Sequence, residues 1–476
     1  MKLLSSVAIF TLLALGNAVP PVPTPDILHW TNLEVGAFYS FNMISMLENI
    51  SNTQFFCLGV GGNGGWLPNP NFFNPEKLDI DQWISTAKSF GAKYAVLTAQ
   101  HCSGFSMWPT DIYSETGFNY TYSTKYSSFR GGGYDVVKEF VQSCLKAGVK
   151  PGIYYSLNQN YYLNSGHGLV QNTSLVPGQV KVSQELYGKI VLAQMKELWS
   201  SYGQLTEIWF DGGCSVPGIN DQVSNLLESL QPHAVYFGGC AKNNNIRWIG
   251  TESGEPGYPI WSAADNCKAG LGDPDGNVFC PAESDTTLQQ GDHWFSRKGY
   301  SIRSLDELKK VYLKTVGQNT NLLLNVAGNS MGLIEDASVQ RYKEFGDWIS
   351  NCFSNNSVLS ENSGKGYVLK VQKQKDVPFS FDTVVIQEDQ TYGQAVTNFT
   401  VHLIPHNDTV TGVEDHVRDD SWDAPIVVAT GTSIGNKFIF SMFTEQIVAD
   451  GVILNITQAA FEPTLSLSLH LCNAPH

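Results

Sequence analysis

Beyond its N-terminal segment the chain offers no run of about 18 consecutive apolar residues, the length that would read as a membrane-spanning helix. Charge is scarce and one-sided: 15% of residues are Asp, Glu, Lys or Arg, and 44 acidic side chains outnumber 29 basic ones, for a formal net charge of -15. Such an excess repels nucleic acid and anionic membrane surfaces, so neither is expected as a partner and a neutral ligand is the natural reading. No Cys-x-x-Cys spacing occurs, so a zinc site is not expected. Internal repeats and long low-complexity linkers are also missing.

At the N-terminus, Lys2 precedes an uncharged, mostly apolar run from Leu3 to Leu15, and Gly16-Asn17-Ala18 follows before Val19. That pattern reads as a signal peptide over residues 1–18, too short to span a bilayer, and implies a soluble, secreted protein. Asn-x-Ser/Thr acceptors at Asn49, Asn119, Asn172, Asn355, Asn398, Asn407 and Asn455 fit a glycosylating secretory route. Nine cysteines favour disulfides in an oxidising compartment, and the odd count leaves at least one outside an internal pair. Cys267 and Cys280 enclose a Gly/Asp/Pro-rich loop and are the first expected pair. The 12% aromatic content supplies both core and stacking surface.

Between about Leu28 and Cys352, short apolar runs alternate with amphipathic stretches, as βα units around a parallel sheet require. Strands are expected at Val35–Phe41, Tyr94–Thr98, Pro151–Ser156, Leu205–Phe210, Ala234–Phe237, Ile246–Gly250 and Leu322–Val326. Helices are expected at Asp79–Phe90, Tyr134–Ala147, Ser183–Ser200, Asp221–Ser229 and Leu305–Thr315. The fold class is α/β, a (β/α)8-like barrel over residues 19–355. From about Val358 the pattern changes to alternating segments such as Phe379–Ile386 and Phe399–Leu403, which fits a C-terminal all-β sandwich over residues 356–476.

In a parallel barrel, side chains at the C-terminal ends of the strands converge on one face. Asp211 ends the run Leu205–Phe210 and precedes Gly212-Gly213, so it should stand at that mouth, as a functional carboxylate or as a turn residue. Glycosidic cleavage needs two carboxyl groups, one to attack or activate and one to protonate the leaving oxygen. Glu252 closes the segment Ile246–Glu252, and Glu255 follows three residues later; either could be the second group or a solvated loop acid. His101 holds another strand end, where an imidazole can hydrogen-bond a sugar hydroxyl or be satisfied by backbone. Trp108, Trp209, Trp248, Trp261 and Trp294 could stack on a pyranose, with at most two expected to touch ligand and the others in the core.

The segment Lys93-Tyr-Ala-Val-Leu-Thr-Ala-Gln-His-Cys-Ser-Gly-Phe105 with Met107-Trp-Pro109, the strand Lys150–Ser156, Glu207-Ile-Trp-Phe-Asp-Gly212 and Asn321–Asn325 together resemble the α-L-fucosidases, glycoside hydrolase family 29, in family order. The resemblance implies retaining double displacement without a cofactor, with Asp211 as nucleophile and Glu252 as acid/base, Glu255 being the reserve. It also implies that His101, Trp108, Tyr155 and Trp209, with Arg247, line the sugar pocket, and that fucosylated oligosaccharides or glycoproteins are the partners. Arg247–Glu252, Ala282–Asp285 and Gly291–Phe295 look like the branch preferring α-1,3 and α-1,4 linkages. Two positions depart from the pattern: Ser40 and Cys102 stand where the family usually has histidines. A changed pocket leaves a related sugar such as an α-L-galactoside, or sugar binding without turnover, as alternatives.

Overall fold

The computed structural model describes residues 20–47, 66–291, 293–373, 377–406, 425–441 and 446–472. The expected signal peptide and the acceptors Asn49 and Asn407 lie outside these residues. Eight parallel strands close into a barrel in chain order: β1 (Val35–Ser40), β2 (Tyr94–Gln100), β3 (Lys150–Tyr155), β4 (Glu207–Trp209), β5 (Val235–Phe237), β6 (Asn245–Trp248), β7 (Ala282–Thr286) and β8 (Thr320–Ala327), with β8 returning to pair with β1. Seven of these coincide with the expected strands to within a few residues. The eighth, β7, reads Ala-Glu-Ser-Asp-Thr and is buried at every position. Hydropathy cannot mark a strand whose inward face carries two carboxyl groups.

Side chains alternate across each strand because successive Cβ atoms point to opposite faces. Tyr39, Leu97, Ile153, Tyr155, Ile208 and Leu324 join the large core shared with the outer helices. Phe38, Val96, Tyr154, Trp209, Phe237 and Leu323 fill the barrel interior. The helices are α1 (Pro25–Thr31), α2 (Ile80–Ser89), α3 (Tyr113–Thr116), α4 (Val136–Ala147), α5 (Gln184–Ser201), α6 (Asn220–Leu230), α7 (Leu305–Lys314) and α8 (Asp336–Phe353). Side-chain caps set where several begin: Asp79 accepts from Gln82 N, Asp135 from Lys138 N and Ser183 from Leu186 N, and Ser304 with Glu307 forms a capping box. Helix α1 lies across the N-terminal ends of the strands, with the Trp30 indole donating to Glu207 at the start of β4.

Beyond α8 two four-stranded antiparallel sheets follow, one containing Val358–Lys365, Thr464–His470, Thr383–Glu388 and Phe438–Ser441, the other Val368–Gln372, Gly451–Ala459, Val396–Ile404 and Ile426–Gly431. Their inner faces share one apolar core, including Leu369, Val384, Phe399, Leu454 and Leu467, which makes the unit a sandwich. A Cys352–Cys472 disulfide ties α8 to the end of the last sandwich strand. The loop after β6 is held by the sandwich: Ser262 N donates to Gln394 Oε1 (2.8 Å), Tyr258 O–H to Ser433 O (2.8 Å) and Ser433 Oγ to Ile260 O (2.5 Å).

Candidate active site

Over the C-terminal ends of β4 to β7 lies a cavity of about 590 Å3, lined among others by Asp211, Glu252, Asp285, Trp209, Phe237 and Trp248. Asp211 sits two residues past β4 on a turn whose next residues, Gly212 and Gly213, have φ of 69° and 85°, a region that side-chain-bearing residues seldom adopt. The Asp211 carboxylate is exposed to the cavity and accepts a 2.8 Å hydrogen bond from the Tyr154 hydroxyl. His101, one residue past β2, stacks on Tyr154 with ring centroids 5.5 Å apart and meets the edge of Phe295 at 5.0 Å. Burial lowers its imidazole to about 4, outweighing the attraction of Asp211, so near neutral pH the ring is uncharged.

Glu252, half-buried on the loop after β6, accepts from the Trp294 indole at 3.1 Å, and its backbone carbonyl accepts from Thr286 Oγ1 at 2.6 Å. Glu255 turns away: it is exposed and pairs with Lys310 on α7 at 2.6 Å. Phe38 packs beneath, within 5.2 to 6.0 Å of the rings of Trp209, Trp294 and Tyr154, and Phe237 stacks on Trp209 at 4.0 Å. Deeper in the barrel Glu283 accepts from Tyr94 O–H (2.7 Å) and Trp209 Nε1 (3.1 Å), with Glu207 beside it. Burial pushes Glu283 up to about 7 and Glu207 well above the usual carboxylate range, with each acid feeling the other, so the two share a tendency to hold a proton.

The structure brings Asp211, Glu252, Trp209 and Arg247 to one cavity, with His101 joined to Asp211 through Tyr154. It does not bring Trp108 or Tyr155 there. The Trp108 indole donates to Glu197 on α5 at 2.8 Å, and the Tyr155 hydroxyl donates to Gln194 on the same helix at 2.8 Å, so both belong to the layer between strands and helices. Strand alternation is the reason: Tyr155 faces outward and its neighbour Tyr154 faces in. Arg247 is buried at the cavity wall, but its guanidinium is committed to the carbonyls of Trp261, Gly270 and Cys280 and so anchors the loop after β6. Ser40 is buried, its hydroxyl accepting from Asn325 Nδ2 at 2.7 Å, and Cys102 is disulfide-bonded. Tyr154 and Asp285 gained no separate notice in the sequence; only their positions within matched segments hinted at them. The expected Cys267–Cys280 disulfide is present, as is Cys214–Cys240, and Cys240 and Cys267 line the cavity.

A closed parallel barrel with acids and aromatic rings gathered over its C-terminal mouth has the layout of a barrel enzyme. Residues 29–352 match the alpha-L-fucosidase family profile, and the chain belongs to that family of glycoside hydrolases. It is 28% identical to Alpha-L-fucosidase 1 of Arabidopsis thaliana over 94% of this chain and 86% of that one, and 25% identical to human plasma alpha-L-fucosidase over 58% of this chain and 52% of that one. Among solved structures, a Bacteroides thetaiotaomicron protein with a provisional alpha-L-fucosidase name is 27% identical, with a TM-score of 0.79 and coverage of 95% of this chain and 99% of that chain.

Proposed function

We propose that this protein is a secreted, glycosylated, retaining exo-α-L-fucosidase in which Asp211 is the nucleophile and Glu252 the acid/base. The supporting observation is that Asp211 and Glu252 come from the ends of different strands and line the same cavity. Asp211 attacks the anomeric carbon as Glu252 gives a proton to the leaving oxygen, producing a glycosyl-enzyme. Glu252 then takes a proton from water, which attacks the same carbon and frees Asp211. The Tyr154 O–H steadies the charge on Asp211, and neutral His101 is suited to a sugar hydroxyl. The matched segments support α-1,3 and α-1,4 linkages on fucosylated glycans as the substrate class. The leader-like N-terminus and the acceptor asparagines Asn119, Asn172 and Asn398, all exposed, support export and glycosylation.

Ser40, bonded to Asn325 where the family usually has an imidazole, motivates a second reading, a retaining hydrolase for an α-L-galactoside. The deciding assay measures release of L-fucose from an aryl α-L-fucoside, a Lewis-type α-1,3/1,4-fucosylated oligosaccharide and an α-1,2-linked one, with an α-L-galactoside alongside. Asp211→Ala should lose at least about a thousandfold in kcat/KM, and Glu252→Ala should lose most on sugars with poor leaving groups. Product first appearing as the β-anomer would exclude retention, and turnover untouched by Asp211→Ala would exclude the assigned nucleophile.

A further inference from the structure

Three acidic side chains stand among the described residues of the cavity wall, and the two-step chemistry uses two of them. The third, Asp285 on β7, is 3% exposed. Its Oδ1 accepts from the Trp248 indole at 2.7 Å, and its own backbone N–H is the other donor beside it. A carboxyl group offers about four lone-pair sites, and burying it without partners is costly. Two other buried acids here are better supplied. Glu388 accepts from the backbone N–H groups of Ala395, Val396 and Gly435, and Glu283 from Tyr94 and Trp209. Glu207 is as sparsely supplied, with the Trp30 indole as its donor, but it stands at the start of β4, away from the cavity, whereas Asp285 opens onto it. Asp285 is also tied to Glu252, since the next residue, Thr286, bonds the Glu252 carbonyl.

We propose that Asp285 is a substrate-binding residue: Oδ1 holds the Trp248 ring as one wall of the cavity while Oδ2, carrying a proton, donates to a hydroxyl of the bound sugar. This rests on the fucosidase reading of the same cavity. The proton is kept because burial, then Glu252 and Glu283, raise the carboxyl well above its usual range. The nearby cations are turned elsewhere: Arg247 to the carbonyls of residues 261, 270 and 280, and Arg303 to Thr286, Thr287 and Ser253. A neutral carboxylic acid is a donor as well as an acceptor, which an ionised one is not.

The test compares Asp285→Asn, Asp285→Leu and Trp248→Phe with wild type on an aryl α-L-fucoside and on a fucosylated oligosaccharide, with Tm recorded for each. The amide keeps an acceptor for the indole and a donor for the hydroxyl, so Asp285→Asn should stay within about threefold of wild type. Asp285→Leu should lose roughly 10- to 100-fold in kcat/KM at an unchanged kcat or with both constants moved. Trp248→Phe, which removes only the indole donor, should lose less. Loss on both substrates assigns the hydroxyl to the terminal sugar, and loss on the oligosaccharide alone assigns it to the leaving sugar. The proposal is overturned if Asp285→Leu matches wild type, if Asp285→Asn falls as far as Asp285→Leu, or if Trp248→Phe reproduces the whole effect. A wild type that turns over neither substrate refutes the fucosidase reading instead. Calorimetric binding of L-fucose and of the fucosylated oligosaccharide to the same variants then decides Asp285, since only a substrate-binding role predicts that Asp285→Leu weakens binding of at least one of them by more than Trp248→Phe does.

Discussion

Two adjacent tyrosines carry opposite duties. Tyr154 O–H donates to Asp211 Oδ2, whereas Tyr155 O–H donates to Gln194 on α5. Tyr154→Phe should lower kcat/KM by roughly 10- to 100-fold, the value of a hydrogen bond to a charged group, with little change in Tm. Tyr155→Phe should do the reverse, costing about 1 kcal/mol of stability and leaving KM alone. Parallel steady-state kinetics and thermal melts of the two variants check the contrast; equal kinetic effects would contradict it. The sequence carries the alternation but not its phase, because Tyr-Tyr reads the same in either register. Trp108 is ambiguous for a related reason, since a tryptophan just past a strand end serves a pocket or a helix layer equally well, and only the position of Glu197 decides. Asp211 was legible because a strand end, an acid and two glycines are all local features.

At the level of elements, strands buried on both faces appear as continuous apolar runs, which is why seven of the eight could be read. Strand β7 inverts that rule: Glu283 and Asp285 point inward and are paid for by indole and phenol donors from Trp209, Tyr94 and Trp248, residues far away in sequence. The loop from β6 to β7 is equally opaque to pattern reading, being organised by the Arg247 guanidinium, the Cys267–Cys280 disulfide and distant partners in the sandwich. Arg247→Lys replaces a fork by a single ammonium that cannot reach all the carbonyls of Trp261, Gly270 and Cys280. Orphaned buried acceptors cost about 1–3 kcal/mol each, so this variant should melt at lower temperature and show a raised KM, whereas a variant with wild-type melting would deny Arg247 its anchoring role.

For the whole molecule, buried acids set how stability varies with pH. Glu283 and Glu388 are raised to about 7 by burial, and Glu207 and Asp285 are raised as well. Glu283 and Glu388 bind their protons more tightly when folded, so their contribution is complete below the unfolded value of 4.5 and disappears as pH climbs through about 7, and Glu207 and Asp285, raised well above their usual range, act in the same direction. His101, lowered to about 4, acts oppositely, weakening the fold as pH falls below 6.5. With four such carboxyls against His101 and the milder His470, Tm should be higher at pH 5.5 than at pH 7.5, and Glu388→Gln should narrow the gap. A gap unchanged in that variant would show that Glu388 does not titrate in this range. The seam between barrel and sandwich also has a history in time. Ser262 waits for Gln394, 132 positions downstream, and Ile260 for Ser433, 173 positions downstream. A chain leaving the ribosome therefore carries Asp211, Glu252 and Asp285 well before it carries Gln394 and Ser433, which brace the loop around them.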